Sequence, residues 1–316
     1  MRTLAFQPRE MVVNRFFVPG TEHSWSQPDD ELGWTNKPGV SVSIEAGHEK
    51  MKFLSYGRRA ASDAERSTED RVPVMIVGGS NAQSYGVRDE GTFPYLLNKR
   101  FPTLNFENFG TGGYGTVQAF LLARRVYNKF YQLDAPRMLI FTFADSHMAR
   151  NVSDQSWIYS ITDSIGRFVS PPHYRMEKGE LRFQPFRTIG LWPLEDKSAL
   201  ITTLHNIWLQ SVEYNTAAQA KTVTRRIFDE AALFAHQKEM LFLVLVLEDR
   251  AEVTTALFEK ANYPVLDCSG FERIAPKKYL LGGGSHPNEL LHAHFASCVG
   301  AWIGANAHTE LLVSTQ

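Results

Sequence analysis

Chemistry in this chain is most readable at Ser80, in the stretch "VMIVGGSNAQSYGV" (residues 74–87), where four apolar residues run into two glycines and a hydroxyl. A continuous apolar run closed by glycines predicts a strand covered on both faces. In such sheets ligands bind just beyond the carboxyl ends of the strands. Two further segments each follow a predicted strand: the glycine-rich "NFGTGGYGTVQ" from Asn108 and "FADSHMARN", which carries His147. A fourth, "GGGSHPNELLHAH", holds His286 ahead of the last predicted helix. Loops converging on one sheet edge can build a site from residues distant in sequence.

The elements that must position these residues follow from hydrophobic patterning. Strands are predicted at 72–77, 104–108, 138–143, 241–247 and 264–267, separated by helical segments near 89–100, 115–131, 198–237, 250–262 and 288–305. Alternation of this kind is the signature of βαβ units. The fold expected is a three-layer α/β/α sandwich with a parallel sheet of about five strands. In the longest helical segment, Leu200, Leu204, Ile207, Ser211, Ile227, Ala231 and Phe234 fall at spacings compatible with one buried stripe. Residues 1–70, with Pro8, Pro19, Pro28 and Pro38 and short alternating pieces, suggest a small strand-and-loop module packed on the main domain of 71–316. Residues 151–197 interrupt the alternation as an insertion.

Composition narrows the partners. Lys and Arg total 33 against 34 Asp and Glu, with no long run of one sign, which disfavours nucleic acid. No segment approaches the ~20 apolar residues needed to span a bilayer, and the opening residues lack a signal-peptide pattern. Cys268 and Cys298 show neither zinc spacing nor a disulfide framework, and read as reduced, buried thiols. That reading leans toward a reducing, cytoplasmic setting. The steps between His286, His292 and His294 do not put three imidazoles on one helix face, so no metal is expected. "GTGGYG" matches a dinucleotide fingerprint literally. Its preceding strand is polar and Asp134 precedes the next strand instead of ending it, so that reading is set aside and no cofactor is expected.

The order "GGSNAQSYGV…GTFPYLL", then "NFGTGGYG", then "GSHPN" resembles the SGNH hydrolase superfamily of GDSL-type esterases, lipases and acyltransferases, across roughly residues 72–305. The earlier "PDDELGWTNKPGV…SYGRRA" resembles the lead-in of many bacterial members. The resemblance implies an enzyme that hydrolyses or transfers an acyl group, on an acylated carbohydrate or small lipid-like ester. It implies Ser80 as nucleophile, His286 as general base and the N–H groups of Ser80 and Gly110 as an oxyanion hole. Such chemistry is sound: a serine hydroxyl becomes a nucleophile when an imidazole takes its proton, and backbone N–H groups stabilise the tetrahedral oxyanion.

Three positions depart from the family pattern. Gly79 replaces its Asp, Ala144 its oxyanion-binding Asn, and Gly283 the Asp that orients the histidine. The expectation is therefore a Ser-His dyad, with Asn81 or His147 as substitute donors and a backbone carbonyl orienting His286. Asp145 and Asp267 read as loop or cap residues. A second reading, motivated by the losses at Ala144 and Gly283, is a catalytically degenerate carbohydrate- or acyl-binding module, with Trp157, Trp192 and Tyr174 stacking on sugars. The insertion is expected to form a lid or rim. Trp157, Tyr159, Phe168, Tyr174, Phe183 and Phe186 would supply apolar area there, and Arg167, Arg175 and Arg187 polar anchors. The alternative is that these aromatics pack as a satellite core.

Overall fold

The computed structural model describes residues 25–43, 50–62, 71–131, 134–161, 168–190, 192–195, 197–213, 216–248, 251–282, 286–307 and 311. Gly283 and Arg167, both singled out above, lie outside these residues, as do the side chains of Tyr159 and Phe168.

Strands β1 (Val72–Val77), β2 (Leu104–Asn108), β3 (Met138–Ala144), β4 (Leu241–Glu248) and β5 (Val265–Asp267) form a parallel sheet in the order β5-β4-β3-β1-β2. The pleat sends alternate side chains to opposite faces. Val74 and Ile76 join Phe93 and Leu97 of α2 (Phe93–Arg100) and Leu291 and Phe295 of α9 (Glu289–Asn306) on one side. Met75 and Val77 meet Val117 of α3 (Thr116–Lys129), Val223 and Ile227 of α7 (Thr216–Gln237) and Leu257 of α8 (Ala251–Phe258) on the other. Helices thus cover both faces, which is why every β1 residue is buried and its sequence is nearly continuous apolar. From β1 the chain runs outward to β2 in one direction and returns to β3 in the other. The carboxyl end of β1 is therefore the topological switch point of the sheet.

Ahead of the sheet lie two antiparallel pairs, Ser26–Asp29 with Gly33–Asn36 and Ser41–Ser43 with Lys50–Lys52. Trp34 anchors the first pair in the core on the α3 side. Its Nε1 donates to Gly112 O at 2.8 Å, and Tyr114 Oη donates to Trp34 O at 2.5 Å.

Two expectations are corrected. The helical segment 198–237 is two helices, α6 (Ala199–Glu213) and α7, rather than one carrying a single buried stripe. Ile227 and Ala231 of α7 are buried, whereas Leu200, Leu204 and Ile207 of α6 are 67, 47 and 56% exposed. Helical spacing says which residues share a face; it does not say that the face has a partner.

Cys268 and Cys298 are not free thiols but a disulfide, with Cα atoms 6.1 Å apart. Spacing hid the pairing because α9 returns across the sheet to the end of β5, bringing together residues 30 apart. The cysteine argument for a reducing compartment falls with it. A cross-link closing a loop of this length restricts the unfolded chain, and reduction is expected to lower unfolding free energy by about 3.5 kcal/mol. Urea titrations of the oxidised protein and the Cys268→Ser/Cys298→Ser variant measure the difference. Coincident midpoints would show the bond to be dispensable.

Candidate active site

Ser80 begins a short helix, α1 (Ser80–Gln83), directly past the end of β1. Gly78, with φ +156°, makes the junction possible, because a Cβ there would stand 1.7 Å from Thr142 Oγ1 of β3. His286 arrives from the far end of the chain. Residues Leu280 and Pro287 form an antiparallel bridge, His286 O accepts from Leu281 N, and Asn288 caps α9 through Leu290 N and Leu291 N. The result is a distance of 3.0 Å between His286 Nε2 and Ser80 Oγ. Tyr85 flanks the imidazole, with ring centroids 5.0 Å apart. Burial first, and the positive charge of Arg150 second, push the His286 pKa down to about 4. Its ring is neutral at pH 7 and able to accept the serine proton.

Of the other residues expected here, two have their donors engaged. Gly110 N donates to Asn108 Oδ1 at 2.9 Å, while Asn108 Nδ2 donates to Ala82 O at 2.8 Å. Asn108 thus closes a local ring that occupies the very N–H assigned to the oxyanion. Gly110 is required for space, since a Cβ there would lie 2.3 Å from Gln83 N. Asn81 Nδ2 donates to Glu248 Oε2 at 2.8 Å, tying its amide to the end of β4. Farther along the same glycine-rich loop, Gly113 takes φ +80°, and its N–H meets no acceptor among the described residues.

His147, the first residue of α4 (His147–Asn151), is buried with its ring edge-on to Phe143. A Cβ on Gly79 would lie 2.6 Å from its Nε2. Gly79 and His147 therefore share one volume, so the missing side chain at 79 is matched by an imidazole from the end of β3. Burial, then Arg150, hold the His147 pKa well below the ordinary value, and Nδ1 has no partner among the described residues. Ala144, at the end of β3, brings no polar group. Its neighbour in register across the sheet is Glu248.

Sequence reasoning missed the groups that hold the nucleophile turn. Arg59 is fully buried; its guanidinium donates to Gln83 O, Ser84 O and Val87 O and pairs with Asp89 at 2.7 Å. Asn36 donates to Gly57 O and Gly110 O, and accepts from Gln83 Nε2. Glu248 and Arg150, both beside the site, were missed as well. The insertion reaches this region through Trp157 of α5 (Gln155–Ser160), whose ring lies under the Arg150 guanidinium at 4.6 Å. Beyond it, Tyr174 and Phe186 pack against the α3/α7 core as a satellite, and Trp192 stacks on His205.

No family model matches the sequence, and no curated protein does. Among solved structures, the chain is similar to a lipolytic protein of the G-D-S-L family from Veillonella parvula (13% identity, 73% of this chain and 97% of that one, TM-score 0.42). It is also similar to the psychrotrophic esterase EstA of a Pseudoalteromonas species (9%, 73% and 98%, TM-score 0.40). A third similar structure is the lipase Lip_vut3 from a goat rumen metagenome (9%, 73% and 96%, TM-score 0.44).

Proposed function

We propose that this protein is a serine-dependent ester hydrolase or acyltransferase of SGNH type, working through a Ser80–His286 dyad. The observation that carries this reading is the 3.0 Å approach of His286 Nε2 to Ser80 Oγ at the switch point of the sheet. His286 Nε2 takes the proton as Ser80 Oγ attacks the ester carbonyl carbon. The tetrahedral oxyanion is held by the N–H of Ser80, with the N–H of Gly113 in the place first given to Gly110, and with His147 as a side-chain donor. Collapse expels the alcohol, which leaves with the proton from Nε2. Water or a second alcohol then repeats the sequence on the acyl-enzyme. A buried neutral His147 suits this role: as the Nε2–H tautomer it donates without adding a charge beside His286.

A fluorophosphonate probe is expected to label Ser80 stoichiometrically and to leave Ser80→Ala unlabelled, and p-nitrophenyl acetate is expected to give a burst with the wild type alone. Equal signals from both proteins would overturn the assignment. The alternative, a binding module for acyl groups or carbohydrates, draws on the apolar end of β3 at Ala144 and would leave both proteins unlabelled.

A further inference from the structure

We propose that Arg150 determines specificity by receiving an oxyanionic group, a carboxylate or phosphate, carried by the substrate close to its ester bond; this rests on the reading of Ser80 and His286 above. Arg150 ends no ion pair among the described residues, and its one hydrogen bond there is from Nη1 to Tyr114 O at 3.0 Å. That same carbonyl lies 3.0 Å from the position of a Cβ on Gly79, the residue before the nucleophile. The guanidinium is thus hydrogen-bonded to a carbonyl that packs on Gly79, next to Ser80 in the chain, and it lies over the Trp157 ring at 4.6 Å. Held by the bond on one side and the ring on the other, it has lost the freedom of a surface arginine before any ligand arrives, which is what preorganised recognition requires.

The remaining donors of the fork are suited to a planar or tetrahedral oxyanion rather than to a neutral group. The Trp157 Nε1 beneath is a further buried donor without an acceptor among the described residues. The charges that bear on the guanidinium are those of its pocket. Glu248 acts on it at longer range while its Oε2 accepts from Asn81, and the nearby imidazoles of His147 and His286 are neutral. Burial lowers the Arg150 pKa to about 10, so it is still cationic at pH 7.

Binding is best measured by calorimetry in the full-length Ser80→Ala protein, which holds esters without turnover. The probes are monoethyl succinate for a carboxylate, 2-acetoxyethyl phosphate for a phosphate, and ethyl butyrate as the neutral control. At least one anionic ester is expected to bind about ten- to a hundredfold tighter than ethyl butyrate, in keeping with a charge-assisted hydrogen bond. The tighter of the two names the anion. Adding Arg150→Gln, which retains a donor for Tyr114 O, is expected to bring the three affinities within about threefold of one another. Arg150→Lys, which keeps a charge without the fork, is expected to give an intermediate ratio. Equal binding of all three esters by Ser80→Ala, or a preference that survives Arg150→Gln, would overturn the proposal. Inactivity of the wild type in hydrolysis would instead count against the dyad, since the binding ratio does not depend on turnover.

Discussion

His286→Gln is expected to lower kcat for p-nitrophenyl acetate by about 10³- to 10⁴-fold, with Ser80→Ala falling as far and the double variant little further, because the two groups act as one unit. Glutamine fills similar space but cannot accept the serine proton and return it to the leaving alcohol. The pH profile supplies a second readout. A general base works when neutral, so activity is lost as pH falls through its pKa. With the His286 pKa pushed down to about 4, kcat/KM is expected to stay level from pH 8 to about 5.5. An ordinary imidazole would already be half-protonated near pH 6.5. An acid limb centred there in steady-state assays would mean that the ring is solvated and its approach to Ser80 is not the working geometry. Loss of less than tenfold in His286→Gln would remove it from the mechanism.

The second large effect concerns stability in mild acid. Burial, named first in each case, holds four imidazoles neutral: His147 well below the ordinary value, His173 and His286 at about 4 and His292 at about 3. His173 Nδ1 donates to Pro171 O at 2.9 Å, and His292 stacks on Phe93. A depressed folded-state pKa means that the unfolded chain binds the proton first. Stability is therefore full above the unfolded value near 6.5 and is lost as pH falls toward the folded values. Each such group contributes a slope of up to about 1.4 kcal/mol per pH unit in that window, or about 3 kcal/mol by pH 4. A domain of ordinary stability, about 5–15 kcal/mol, is expected to unfold near the lower end of that range. Urea titrations at pH 7, 6, 5.5 and 5 test this, with His292→Leu expected to flatten the curve. Constant unfolding free energy between pH 6.5 and 5 would show that these rings are protonated without unfolding.

Much of the frame was legible because it rests on local patterning. A strand buried on both faces must be apolar throughout, so β1, β3 and β4 stand out in the sequence close to where the structure has them. A parallel sheet sends the loops after β1, β2 and β3 to one edge, so sequence alone groups Ser80, the glycine-rich loop and His147 there. The lead-in "GWTNKPGV…SYGRRA" carries a resemblance in sequence but no sign of what Asn36 and Arg59 hold. Asn36 and Arg59 act through backbone carbonyls of residues 20 to 75 positions away, and no spacing rule encodes such partners.

What tertiary structure alone decided turns on the same point. Sequence specifies which groups exist and which face of an element they share; only the packed chain specifies which donor meets which acceptor. Gly110 has an N–H in any sequence reading, yet Asn108 occupies it. Gly79 and His147 read as unrelated oddities until one is found in the volume the other leaves open. Cys268 and Cys298 gave no pairing signal, and α9 brought them within bonding distance. Leu200, Leu204 and Ile207 carry a helical stripe that the fold leaves exposed. Hydrophobic period is a property of one segment and survives without its neighbours, whereas hydrogen-bond partners, covered faces and the charge that reaches His286 from Arg150 are properties of pairs, and come into being only when the chain closes on itself.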